Sequence, residues 1–156
     1  SIGDGYYQDT ITNMQDEINN YISYNIEKET GIKRYYIILE PTINIKQYKY
    51  KVNDFYSGEE PIDLTLNLGY TYDFYEKKAK NSKKDKFPYK NKDEFSKDAY
   101  KIVKTLKKIN YDFSNIKIYS FKADGNNAYE VNIKDLNSIK SEADLNEIIK
   151  NVDYSK

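Results

Sequence analysis

From Ile62 to Phe74 the chain alternates without a break. Ile62, Leu64, Leu66, Leu68, Tyr70, Tyr72 and Phe74 take every second position, and Asp63, Thr65, Asn67, Gly69, Thr71 and Asp73 fill the gaps. A period of two sends these sets to opposite faces of an extended chain, so the stretch predicts a strand with one buried and one solvated side. Gly69, on the polar side, is the natural point for a bend in so long a run.

The period is different upstream. Ile11, Met14, Ile18, Ile22 and Ile26 recur at three and four, with Gln15, Asp16, Glu17, Asn19 and Asn20 on the other side. This predicts an amphipathic helix of about five turns, after a loose start over residues 1–8. Thr12 and Gln15 have capping-box spacing, either at the helix start or inside its first turn, and Gly31 suits a left-handed stop. Lys33 to Val52 reads as interrupted strand. Tyr35 to Leu39 is apolar on both phases, as a strand covered on both faces would be, and Pro41 predicts a break or bulge because it removes a ladder donor. Ile43 and Ile45 resume one phase, and Tyr48, Tyr50 and Val52 take the other. The segment Tyr48 to Val52 is expected to pair antiparallel with the start of the Ile62 strand.

Downstream, Asn91 and Glu94 give a capping-type start to a second helix. Its stripe is Phe95, Ala99, Ile102, Val103, Leu106 and Ile109, with Lys97, Lys101, Lys104 and Lys108 on the exposed side. Ile116 and Ile118 then alternate with Lys117 and Tyr119, an ADGNN turn reverses the chain, and Tyr129, Val131 and Ile133 alternate with Glu130 and Asn132. Ser141 with Asp144 caps a last short helix expected to carry Leu145, Ile148, Ile149 and Val152. The order is α-β-β-α-β-β-α. It predicts an α+β fold, with an antiparallel sheet of four to five strands and helices on one face, formed by residues 1–156 as a single domain.

Composition changes this picture little. There are 18 Tyr and, among 25 basic residues, a single Arg, with no Cys, His or Trp. Lys, Asn, Ile, Tyr and Phe share AT-rich codons, so the bias reflects the genome before it reflects any site. Charge is balanced overall but not along the chain: residues 76–110 carry 5 acids and 13 bases, whereas 1–75 carry 12 acids and 6 bases. The excess is concentrated in a Lys-rich loop over residues 76–92. Such asymmetry bears on steering and partners, not on fold.

Without Cys there are no disulfides, thiol nucleophiles or thiolate metal sites, and without His there is no imidazole base. No glycine-rich phosphate loop is present, so no cofactor is expected. Glu59, Glu60 and Asp63 are the carboxylates that a His-independent hydrolase would need, although no spacing among Asp54, Glu59, Glu60 and Asp63 builds a metal cage. The stronger lead is basic. Lys77, Lys78, Lys80, Lys83, Lys84, Lys86, Lys90 and Lys92, interleaved with Phe87 and Tyr89, suit an anionic envelope polymer or lipid surface. Sequence-specific nucleic acid is disfavoured, because one Arg leaves little bidentate recognition. A second lead is aromatic: Tyr35, Tyr36, Tyr48, Tyr50, Tyr70, Tyr72 and Phe74 fall in the first hairpin region, and those that the two phases leave outside the core would line a sheet face suited to sugar or peptide contacts. Another protein is a further partner that these surfaces would suit.

Stretches such as KNKDEFSKDAYKIVKTLKKIN and SEADLNEIIKNV resemble the mature domains of secreted or membrane-anchored lipoproteins of low-GC Gram-positive bacteria, clostridial in type. The resemblance implies an extracytoplasmic location, with a signal segment or lipidated Cys upstream of Ser1. The chain's longest strongly apolar run, Tyr35 to Leu39, is far too short to span a bilayer. The function expected is non-enzymatic binding, with no metal, and the hydrolase is the alternative.

Overall fold

The computed structural model describes residues 2–43, 60–69 and 87–156. Helix α1 runs Ile2–Thr30 and so begins within the residues expected to form a loose start. Met14, Ile18, Ile22 and Ile26 are all at most 2% exposed, as the spacing predicts. The helix stops at Gly31, whose φ of +76° is left-handed and whose N–H returns to Glu27 O at 2.9 Å. That bond satisfies a carbonyl the helix end leaves orphaned. Thr12 and Gln15 lie inside the helix, and Gln15 Oε1 instead accepts from Ile43 N at 3.1 Å, tying the helix to the end of the first strand.

A short 3-10 turn, Arg34–Tyr36, leads into β1, Ile37–Ile43. The expectation of a doubly covered strand over Tyr35 to Leu39 is corrected. Ile37, Leu39, Pro41 and Ile43 are buried while Glu40 and Thr42 are exposed, so β1 has one wet face. Nor does Pro41 break it; the strand runs through, with Pro41 opposite Leu64. Among the described residues β1 is an edge strand, where one missing donor is tolerated.

β2 is Ile62–Leu68, the described part of the long alternating run. Ile62, Leu64, Leu66 and Leu68 are at most 1% exposed, and Gly69 turns the chain at φ +91°. Over this length β2 pairs antiparallel with β1 and parallel with β3, Phe113–Phe121. Both hydrogen-bonding edges of β2 are therefore occupied; Tyr48–Val52, expected to pair with its start, lie outside the described residues. The parallel pair has a physical cause. The connection from β2 to β3 contains α2, Lys92–Lys108, and such a crossover returns the chain in the same direction.

β4, Asn127–Ile133, pairs antiparallel with β3, and β5, Lys150–Asp153, pairs antiparallel with β4. Among the described residues the sheet is thus five-stranded, mixed but mostly antiparallel, in the order β1-β2-β3-β4-β5. The last helix, α3, is shorter than its apolar pattern suggests: it spans Glu142–Ile148, and Val152 belongs to β5. Stripe residues of α1 and α2, Leu145 of α3 and the inward residues of β1 to β4 form one hydrophobic cluster. This is an α+β fold with its helices on one face of the sheet. No helix is long and apolar enough to cross a membrane among the described residues.

Candidate binding surface

On the sheet face turned away from the helices, alternation in β3 presents Lys117, Tyr119 and Phe121, while Ile116, Ile118 and Ser120 point to the core. Register places Glu130 of β4 opposite Tyr119, and Lys150 of β5 opposite Glu130. Tyr154, just beyond β5, completes the group. Its hydroxyl donates to Glu130 Oε1, and Asn132 Nδ2 donates to Glu130 Oε2 at 3.2 Å. Lys117 Nζ lies 3.1 Å from Glu130 Oε1.

The three rings meet at angles. Tyr119 and Phe121 are edge-on at 5.6 Å, and Tyr154 lies 5.5 Å from Phe121 and 6.2 Å from Tyr119. The Lys117 ammonium sits over both tyrosines, 4.9 Å from the Tyr119 centroid and 5.2 Å from that of Tyr154, where the negative ring faces attract it. Ala128, opposite both Phe121 and Val152, is fully buried although it faces away from the helices. This end of the face is therefore a small packed cluster in its own right, with Tyr154 still 42% exposed.

Electrostatics follow from the contacts. Burial by itself would raise the Glu130 carboxyl, but hydrogen bonds from Tyr154, Lys117 and Asn132 outweigh it and hold it below the usual carboxylate value. Burial would lower Lys117, and its bonds with Tyr154 and Glu130 reverse the sign. Tyr154 is raised by burial and by donating to Glu130. Lysine, carboxylate and phenol thus keep their ordinary neutral-pH states together.

Of the residues singled out in the sequence, Lys77, Lys78, Lys80, Lys83, Lys84, Lys86, Tyr70 and Tyr72 lie outside the described residues. Lys90 is exposed, and its backbone N–H donates to Glu94 Oε2. Tyr89 is a correction: it is 5% exposed and donates to the buried Asp98 Oδ2 at 2.6 Å, so it serves the core and does not present itself to a ligand. Phe87 is buried beside it, at 4.8 Å between ring centroids. Glu59 lies outside the described residues, and Asp63 Oδ1 accepts from Asn115 Nδ2 at 3.0 Å. No group of three or more acidic residues that could hold a metal occurs among the described residues.

Phe121 and Tyr154 were missed from sequence for different reasons. Alternation in β3 already put Tyr119 on the face away from Ile118, and extending it by one step would have added Phe121. Tyr154 carries no such signal, because the helical spacing from Leu145 to Val152 hides β5.

A cleft of about 290 Å³ opens at the other end of β3. It is lined by Leu106 and Lys107 at the end of α2, by residues 109–113, and by residues 134–137 after β4. Tyr111 and Phe113 form its aromatic side, with ring centroids 6.0 Å apart. Neither Glu60 nor Asp63 lines it.

No protein-family model matches the chain, and searches of curated proteins and of solved structures returned no match. The functional reading therefore rests on the surface itself.

Proposed function

We propose that the protein is a non-enzymatic, extracytoplasmic binding domain that recognises a polymer of the cell envelope through the sheet face bearing Tyr119, Phe121 and Tyr154. The observation that carries this reading is the aromatic cluster itself: a strand pattern that spends three rings on the face away from the core leaves amphipathic surface suited to sugar-bearing chains. Lys117 and Glu130 add a donor and an acceptor beside the rings. The extracytoplasmic location is supported by the resemblance of the chain's sequence style to secreted and lipid-anchored domains. The Lys-rich loop remains the second candidate element of the same function.

A hydrolase receives less support, since Asp63 is engaged by Asn115 and the cleft is lined by other residues. The test is co-sedimentation of the purified domain with wall polymer and with anionic liposomes across a salt series. It compares a Tyr119→Ala/Tyr154→Ala variant with one in which Lys77 to Lys86 become Gln. Binding that survives high salt and is lost in the tyrosine variant supports the sheet face; binding that salt abolishes and the lysine variant lacks assigns the loop instead. Absence of binding in all proteins at low salt would overturn the proposal.

A further inference from the structure

Resting on the sheet-face reading above, we infer that Asn67 is the residue that selects the bound unit: its side-chain oxygen accepts from an uncharged sugar, through a hydroxyl or an acylamino N–H. In β2, Leu66 and Leu68 point to the core and are fully buried, so Asn67 between them belongs to the opposite face. Register sets it between Ile38 of β1 and Tyr119 of β3, in a row that continues through Glu130 to Lys150. It therefore adjoins the aromatic cluster.

Asn67 is only 5% exposed, whereas Thr65 and Asp63 on the same face of β2 are half-buried, and its Oδ1 has no hydrogen-bond partner. A buried acceptor without a donor lowers stability, and native proteins keep few of them. An apolar side chain would fill the position without that penalty, as Ile38 does on the neighbouring strand. The oxygen thus has no use in the fold and is suited to a donor from outside it. Reaching it requires a neighbouring side chain to move, and Tyr119 is the register neighbour that already belongs to the binding face. Charge then narrows the ligand. The row through Asn67 and the next one, Glu40, Thr65, Lys117 and Asn132, hold Glu40, Lys117, Glu130 and Lys150, which sum to zero. Lys117 and Glu130 are moreover paired with each other at 3.1 Å. No net field favours an anionic or a cationic unit there, which leaves a neutral donor.

The test is calorimetric titration of the purified protein with soluble tetramers of N-acetylglucosamine and of glucose, beside poly(glycerol phosphate) as the anionic comparison. At least one tetramer should bind, with an affinity indifferent to salt. Binding of the N-acetylated tetramer alone identifies the N–H as the donor, and any binding of the glucose tetramer identifies a hydroxyl. Asn67→Leu keeps the branched shape, removes the acceptor and should weaken that tetramer about tenfold. Should leucine prevent folding, Asn67→Ala takes its place in the same titration. Equal affinity in the folded variant would overturn the inference and leave an enclosed water as the partner of Asn67. Preference for poly(glycerol phosphate), or failure of both tetramers to bind, would overturn it too. In co-sedimentation with wall polymer, binding lost in Tyr119→Ala/Tyr154→Ala and kept in Asn67→Leu overturns this inference alone; binding kept in both overturns the sheet-face reading as well.

Discussion

The Tyr89 hydroxyl donates to Asp98 Oδ2 at 2.6 Å with both side chains at most 5% exposed, closing the segment before α2 onto the helix it precedes. Tyr89 also continues a run of rings, edge-on to Phe87 on one side and to Phe95 on the other. Burial first, then the charge of Asp98 and the hydrogen bond to it, hold the phenol far above its ordinary value. Tyr89→Phe removes the donor from a buried acceptor and should cost about 1.5–3 kcal/mol in urea unfolding at neutral pH.

The same pair predicts an alkaline limb. Above the ordinary value of 10.0 the unfolded chain releases a proton that folded Tyr89 retains, so its contribution is complete below that pH and declines above it. Stability measured between about pH 9 and 11 should fall less steeply in Tyr89→Phe, by up to ~1.4 kcal/mol per pH unit.

Gly69 is irreplaceable for two reasons at once. Its φ is +91°, and a Cβ there would press into the Phe87 ring, 2.8 Å from Cγ and 2.9 Å from Cε1. Gly125 is also left-handed, at φ +78°, but a Cβ there meets nothing within 4 Å. Gly125→Ala should therefore cost about 1–2 kcal/mol from backbone strain alone. Gly69→Ala adds overpacking of about 1–3 kcal/mol to a similar strain. Paired thermal melts check the order.

The ion pair on the sheet face should be modest in energy and clear in titration. A double-mutant cycle on Lys117 and Glu130 is expected to give a coupling of about 0.5–1 kcal/mol, because the lysine is still partly solvated. Glu130 is held low, so its stabilisation is present above the ordinary value of 4.5 and is lost as pH falls through the depressed one. Tyr154→Phe deletes one of its donors and should move the Glu130 carboxyl upward in a carbon-detected NMR titration.

Two helix caps should behave alike. Asn91 Oδ1 accepts from Glu94 N at 2.9 Å, and Ser141 Oγ from Asp144 N at 3.2 Å, while each partner's carboxylate reaches back to the backbone N–H before the cap. Asn91→Ala and Ser141→Ala should each lose about 1 kcal/mol. Hydrogen exchange should quicken first in the turn that follows each substituted cap.

What sequence pattern could reach is visible in these particulars. The stripes of α1 and α2, the caps at Asn91 and Ser141, the stop at Gly31 and the inward set of β2 are all local consequences of periodicity or backbone chemistry, and each is where the spacing puts it. Errors gathered where one residue pattern serves two structures. Val152 fits a helical spacing from Leu145 and Ile148, yet Ile149 ends the helix and the chain joins β4 as a strand. Pro41 is a breaker in a central strand and harmless in an edge one, and only strand order separates these cases.

The sequence by itself determined the inward residues of α1, α2, β2, β3 and β4, because a period of two or of three to four is a property of the local chain. Tertiary structure alone decided which strands pair, that β2 and β3 run parallel, that Tyr89 is enclosed, and that Tyr119, Phe121, Tyr154, Lys117 and Glu130 meet on one face. Those contacts join residues far apart in the chain, 37 positions from Lys117 to Tyr154 and 52 from Asp63 to Asn115. No local propensity encodes such a separation; it follows from how the elements bury their apolar faces together.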